Sequence, residues 1–160
     1  MKDIEIVLEN LNSQGIKLDL AQTLFIEKFI DLDAVYKPPS FFSKQQPIGN
    51  LYLWGPVGRG KTLLLQAISD CYFPNSGRFH FIEFMQLVHS KLSQHSGTKD
   101  PLLKVVKDLA MEFKLIFIDE FQIEDIADAM IIGTLIQALS EKGVRLMLSS
   151  NSEPAELYKD

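Results

Sequence analysis

The sequence predicts an α/β fold of three layers, with helices on both faces of a parallel sheet. Short apolar runs alternate with stretches of helical spacing, the pattern of strand–helix–strand units joined by right-handed crossovers. Leu115-Ile116-Phe117-Ile118 is apolar on both faces, as suits a strand covered on two sides. A glycine-rich run, Gly55 to Thr62, lies where a short apolar run gives way to helical spacing.

Each element follows from local chemistry. Residues 1–18 are mixed and define no element. Asp19 is placed to cap a helix reaching about Tyr36, with Leu20, Leu24 and Ile26 to Ile30 on its apolar side. Pro38-Pro39 ends it, and residues 38–49 read as a linker. The chain thus divides into an N-terminal helical segment with linker, 1–49, and a core, 50–160. In the core, Leu51 to Trp54 is a first strand. A helix follows Lys61, with Leu64, Ile68 and Cys71 in register. Phe79 to Ile82 reads as a second strand and Met85 to Leu92 as a helix, with Ser93 to Lys99 a polar loop. Asp100-Pro101 reads as a cap with proline in the first turn of a helix lined by Leu102, Val106, Leu109 and Phe113. Leu115 to Ile118 is a third strand, Ile126 to Glu141 a helix stopped by Gly143, and Val144 to Leu148 a fourth strand.

Composition narrows the function. At 160 residues and 46% hydrophobic, the chain suits one core. A net charge of -5 argues against a protein that coats nucleic acid. The single cysteine, Cys71, allows no internal disulfide, fits a reducing compartment, and is expected to be buried in its helix. No apolar run reaches membrane-spanning length; Ala129 to Leu139 is broken by Gly133, Thr134 and Gln137. The acidic N-terminus has no secretory or transit character, so a cytoplasmic protein is expected.

Gly55-Pro56-Val57-Gly58-Arg59-Gly60-Lys61-Thr62 fits G-x-x-x-x-G-K-[ST]. Such a loop turns backbone N–H groups around phosphate oxygens, and the glycines keep side chains out of the way. The helix starting near Lys61 adds its N-terminal dipole. The nucleotide-binding set is therefore Gly55, Pro56, Val57, Gly58, Arg59, Gly60, Lys61, Thr62 and Leu63, with Lys61 on the β- and γ-phosphates, Thr62 on magnesium, and Arg59 solvated. Asp119-Glu120 ends the third strand, where ligands collect in a parallel sheet. Strand alternation sends the two acids in different directions. Asp119 suits a magnesium shell and Glu120 a water-polarising role. Asn151, after the fourth strand, is placed to reach the γ-phosphate or that water; Ser149 and Ser150 are weaker candidates. His80, His89 and His95 lack metal-ligand spacing, and Phe79, Phe81, Phe84 and Met85 read as core. Pro101 stands where a guanine-reading motif would need aspartate, so ATP is expected rather than GTP.

These residues also resemble a family. Leu51 to Gly55, Val57 to Thr62, Phe79 to Phe81, Phe84-Met85, Val88-His89, Asp100 to Leu102, Asp119 to Phe121, Asp125 to Met130, and Ser150-Asn151 with Pro154 and Leu157-Tyr158 are similar to the ZapE-type cell-division ATPases, of the AFG-one-like branch of the AAA+ superfamily. Pro56 and Ile82-Glu83 depart from the family pattern. The resemblance implies an AAA+ P-loop core, Gly55 to Thr62 as Walker A, Asp119 and Glu120 as Walker B, and Asn151 as sensor 1. It implies ATP and Mg2+, a homo-oligomer, and a protein partner at the bacterial division ring, the tubulin-like FtsZ. Family members continue beyond Asp160, so the core is expected to be incomplete on its C-terminal side. An arginine finger, sensor 2, the lid and a fifth strand beside the first would be missing, leaving an open sheet edge and weak turnover. Two alternatives share the motifs: a helicase-loader ATPase acting near single-stranded DNA, and a non-catalytic nucleotide-binding fragment. The sequence shows no basic, aromatic-lined groove for the former.

Overall fold

The computed structural model describes residues 2–35, 49–72 and 75–157. The expected linker at 38–49, apart from its end, the Cys71 side chain and Tyr158 lie outside the described residues. The elements are α1 (Lys2–Ser13), α2 (Leu20–Val35), β1 (Leu51–Trp54), α3 (Lys61–Tyr72), β2 (Ser76–His80), α4 (Phe81–Gln94), α5 (Pro101–Glu112), β3 (Leu115–Asp119), α6 (Ile126–Glu141) and β4 (Arg145–Ser150), with a 3-10 turn at Pro154–Glu156.

The four strands pair in parallel in the order β1-β4-β3-β2. Every residue of β3 and β4 is buried. Alternation along β3 divides the core. Ile116 and Ile118 face α4, α5 and α6, beside Phe84, Val106 and Leu135. Leu115 and Phe117 face α3, α1 and α2, beside Leu65, Ile68, Val7 and Phe29. The result is the expected three-layer α/β/α arrangement. Helices 2–35 share one core with α3, so this segment completes the layer that carries the glycine-rich loop. Among the described residues β1 pairs only with β4, and its other edge is open.

Several local expectations hold. Asp19 Oδ1 accepts from Gln22 N at 2.8 Å while Gln22 Oε1 accepts from Asp19 N at 2.9 Å, a reciprocal cap on α2. Asp125 Oδ1 accepts from Ala127 N at 2.6 Å and opens α6. Gly143, at φ 82°, closes that helix: Val144 N reaches Leu139 O, and Gly143 N reaches Ser140 O, both at 3.0 Å.

Others need correction. The second strand is Ser76–His80, and α4 starts at Phe81, where a strand was expected to continue. Phe81, Phe84, Met85 and Val88 all bury on one side of a helix, and Glu83 Oε2 accepts from His80 N at 3.0 Å to start it. Leu20 and Leu24 are 76% and 54% exposed, while Ile26 and Phe29 are buried. The helix is apolar nearly all round, so periodicity defines no unique side, and the neighbours α1 and α3 select one. Pro101 does begin α5, but Asp100 adopts a left-handed φ of 57° and its side chain caps nothing. Helix α1, undefined in sequence, buries Val7 and Leu11 at i, i+4.

Candidate active site

The loop between β1 and α3 uses glycine where the backbone demands it. Gly58 and Gly60 have φ of 80° and 73°, conformations costly for any side chain. A Cβ at Gly60 would also come within 2.9 Å of Gln22 Nε2 on α2. That amide donates to Arg59 O at 3.1 Å, so α2 braces the loop from outside.

Residues 57–63 line a cavity of about 340 Å³ at the carboxyl ends of the strands, together with Asp119, Glu120, Ser149, Ser150 and Asn151. Three strand ends meet there because β1, β4 and β3 are consecutive in the sheet. Helix α3 points its N-terminus, at Lys61, into this space. Lys61 Nζ donates to Gly55 O at 2.6 Å, Pro56 O at 2.8 Å and Asn151 Oδ1 at 3.1 Å. The ammonium therefore ties the loop to the end of β4.

Asp119 is 8% exposed and held at both carboxylate oxygens. Oδ2 accepts from Thr62 Oγ1 at 2.7 Å, and Oδ1 from the Ser149 hydroxyl and from Glu120 N at 2.9 Å. Glu120 differs in every respect. It takes a left-handed φ of 54°, so the chain turns sharply after β3. Its side chain is 74% exposed, and Oε2 lies 3.9 Å from His80 Nδ1. Both acids line the one cavity; β3 ends at Asp119, so the turn at Glu120 rather than strand alternation sets the second acid's place.

The structure gathers Val57, Gly58, Arg59, Gly60, Lys61, Thr62, Leu63, Asp119, Glu120 and Asn151 around one cavity. Gly55 and Pro56 are not on its wall. They hold Lys61 through their carbonyls and line a neighbouring cavity of about 330 Å³, which Arg59 and Lys61 also border. Sequence reasoning missed this second cavity, whose walls include Gln22 and Phe25 of α2 and the half-exposed Trp54. It also did not foresee that buried Ser149 donates to Asp119. Its position two residues before Asn151, at a strand end, was the available signal.

The profile of the AFG1-like ATPase family matches residues 8–160. The chain belongs to the AFG1-like ATPase family. Its similarity to the cell division protein ZapE of Escherichia coli K12 is 38% identity over 123 residues, 74% of this chain and 32% of that protein. To the lactation elevated protein 1 homolog B of Danio rerio it is 39% over 130 residues, 74% of this chain and 26% of that protein. The chain thus spans about a third or less of these relatives. Among solved structures it resembles domain III of the Thermotoga maritima replication initiation protein DnaA, with TM-score 0.62, 16% identity, 92% of this chain and 59% of that one. DnaI is similar at TM-score 0.56, 22% identity, 88% and 70%. These likenesses show the AAA+ P-loop fold. The AFG1-like match begins inside α1, so it includes α2, the helix that braces the loop.

The oxygen donors also fit magnesium. Thr62 Oγ1 and Asp119 Oδ2, 2.7 Å apart, would offer it two hard oxygen ligands. No cluster of three His, Cys, Asp or Glu suited to a metal occurs among the described residues. A cation held by few protein oxygens, with substrate phosphates completing its shell, is the habit of Mg2+ at nucleotide sites.

Proposed function

We propose that this chain binds ATP with magnesium in the cavity lined by residues 57–63 and, as an AFG1-like ATPase, hydrolyses it. The observation that carries the reading is the convergence of Lys61, Thr62, Asp119, Glu120 and Asn151 on one cavity from three strand ends. Lys61 exchanges its contacts with the Gly55 and Pro56 carbonyls for phosphate oxygens. Thr62 and Asp119 hold the magnesium. Bound there, magnesium neutralises phosphate charge. Glu120, exposed at the cavity edge beside His80, accepts a proton from a water aligned with the γ-phosphate, and Asn151 positions the same water or phosphate. The purine lies in the adjoining cavity against Phe25 and Trp54, with Gln22 at its polar edge. The AMPPCP-bound DnaA of Aquifex aeolicus shares the fold and supports a triphosphate ligand.

The likeness to a cell division protein supports a role in bacterial cell division. In this reading hydrolysis drives remodelling of a protein partner, FtsZ, by a homo-oligomer in the cytoplasm. No described helix is long and apolar enough to cross a membrane. The test is phosphate release by this chain, with Glu120→Gln beside it. Retained ATP binding with phosphate release lowered roughly 100- to 10,000-fold in the variant supports the assignment. Equal release by variant and parent removes Glu120 from the chemistry. Co-sedimentation with FtsZ polymers checks the partner.

A further inference from the structure

Helix α5 buries Val105, Val106 and Leu109. At 3.6 residues per turn, Leu103, Lys104, Lys107 and Met111 fall within an arc of roughly 100° on another side. All four are exposed. Leu103 and Met111 are 57% and 80% exposed, and the rise of a helix sets them about 12 Å apart along one stripe. A single exposed leucine is ordinary. Two large aliphatic residues in line, with lysines between them, are a patterned surface. Exposed Lys99 and Lys114 extend it at either end.

The carboxylates bordering this stripe are already engaged. Asp108 Oδ2 lies 2.6 Å from His95 Nε2, and Glu112 lies 3.5 Å from Lys91. Lys99, Lys104, Lys107 and Lys114 make no ion pair among the described residues. A positive and apolar face thus stands on a chain of net charge -5. The rest of the protein repels an acidic partner while this face attracts one, which fixes where such a partner docks.

We propose that the α5 stripe is a docking surface for an acidic segment of a partner protein that carries two bulky aliphatic side chains. The lysines steer and orient the segment, and Leu103 and Met111 supply its apolar anchors. Single-stranded nucleic acid fits less well, because α5 contains neither arginine nor an aromatic ring on which bases stack. An anionic membrane fits less well too, because Asp108 and Glu112 flank the stripe and no aromatic anchor is present. The inference stands apart from the nucleotide site.

The test uses the isotope-labelled full chain without nucleotide. The probe is a short synthetic Glu/Asp peptide with two leucines four positions apart, about 13 Å when extended. Amide shifts should concentrate on α5. Affinity should fall at least about tenfold in Lys104→Glu/Lys107→Glu, as expected when two attractive charges become repulsive. It should fall at least about threefold in Met111→Ser, from lost apolar area. Melting temperatures should match the parent; Lys104→Gln/Lys107→Gln replaces the charge-reversed pair if that pair melts early. Shifts centred elsewhere, equal binding of a peptide with serine for leucine, or unchanged affinity in the variants would overturn the proposal. So would tighter occupation of α5 by oligothymidine or phosphatidylglycerol vesicles, or self-association that the lysine variants abolish.

Discussion

Lys61→Ala separates what the ammonium does for the fold from what it does for a ligand. Nζ donates to Gly55 O, Pro56 O and Asn151 Oδ1 at 2.6, 2.8 and 3.1 Å. Pro56 and Asn151 are exposed, so water can replace the lysine at those oxygens. The cost to folding should stay under about 1 kcal/mol, a melting shift of less than about 4 °C. A triphosphate changes the ledger. Its oxygens take the place of the protein acceptors, and a net of one to two charged hydrogen bonds is lost with the side chain, about 2–4 kcal/mol. That is roughly a 30- to 700-fold loss of affinity. Titration calorimetry with magnesium–ATP, alongside a thermal melt, reads both quantities. Unchanged affinity would place the ammonium away from the phosphates. A large fall in melting temperature would make Lys61 a structural tie and refute the reasoning from its exposed partners.

Asp119→Asn keeps an acceptor for Thr62 but removes the charge, so it should abolish the magnesium-dependent part of ATP affinity and spare metal-free binding; calorimetry with and without chelator checks this. Trp54, the single tryptophan, borders the second cavity, so ATP should change its emission. Phe25→Ala should weaken ATP at least about fivefold, as loss of base stacking would, and leave tripolyphosphate binding unchanged. Leu65→Ala opens the layer shared by α1, α2 and α3 and should cost about 2–5 kcal/mol in urea unfolding, since Leu65 is fully buried; a loss near zero would mean the N-terminal helices are not part of that core. The hydrogen bond from His95 holds the Asp108 carboxyl below its ordinary 3.8. A depressed folded value contributes stability above the unfolded value and loses it as pH falls through the folded one. His95→Ala should therefore unfold with a shallower dependence on pH between about 5 and 2.

Much of the site was legible because its residues are close in sequence. The Gly55 to Thr62 run, the helix after it and the acids after an apolar strand carry their spacing in the chain itself. Less legible were groups whose partners are remote. Ser149 bonds Asp119, thirty positions away, and Gln22 bonds Arg59, thirty-seven away. The start of α4 was misplaced because Phe79 to Ile82 is as apolar as a strand. Only the burial of Phe81, Phe84 and Met85 in one core, with Phe81 against Phe121 and Phe84 against Phe79, distinguishes a helix.

The sequence by itself determined the strand–helix alternation, the glycine-rich loop before α3 and the acids at the end of β3, because glycine conformations, capping and alternation act over a few residues. Tertiary structure alone decided the strand order β1-β4-β3-β2, the side of α2 that is buried, and the second cavity beside the loop. Each depends on surfaces meeting across long stretches of chain, and burial energy has no address until those surfaces are in contact.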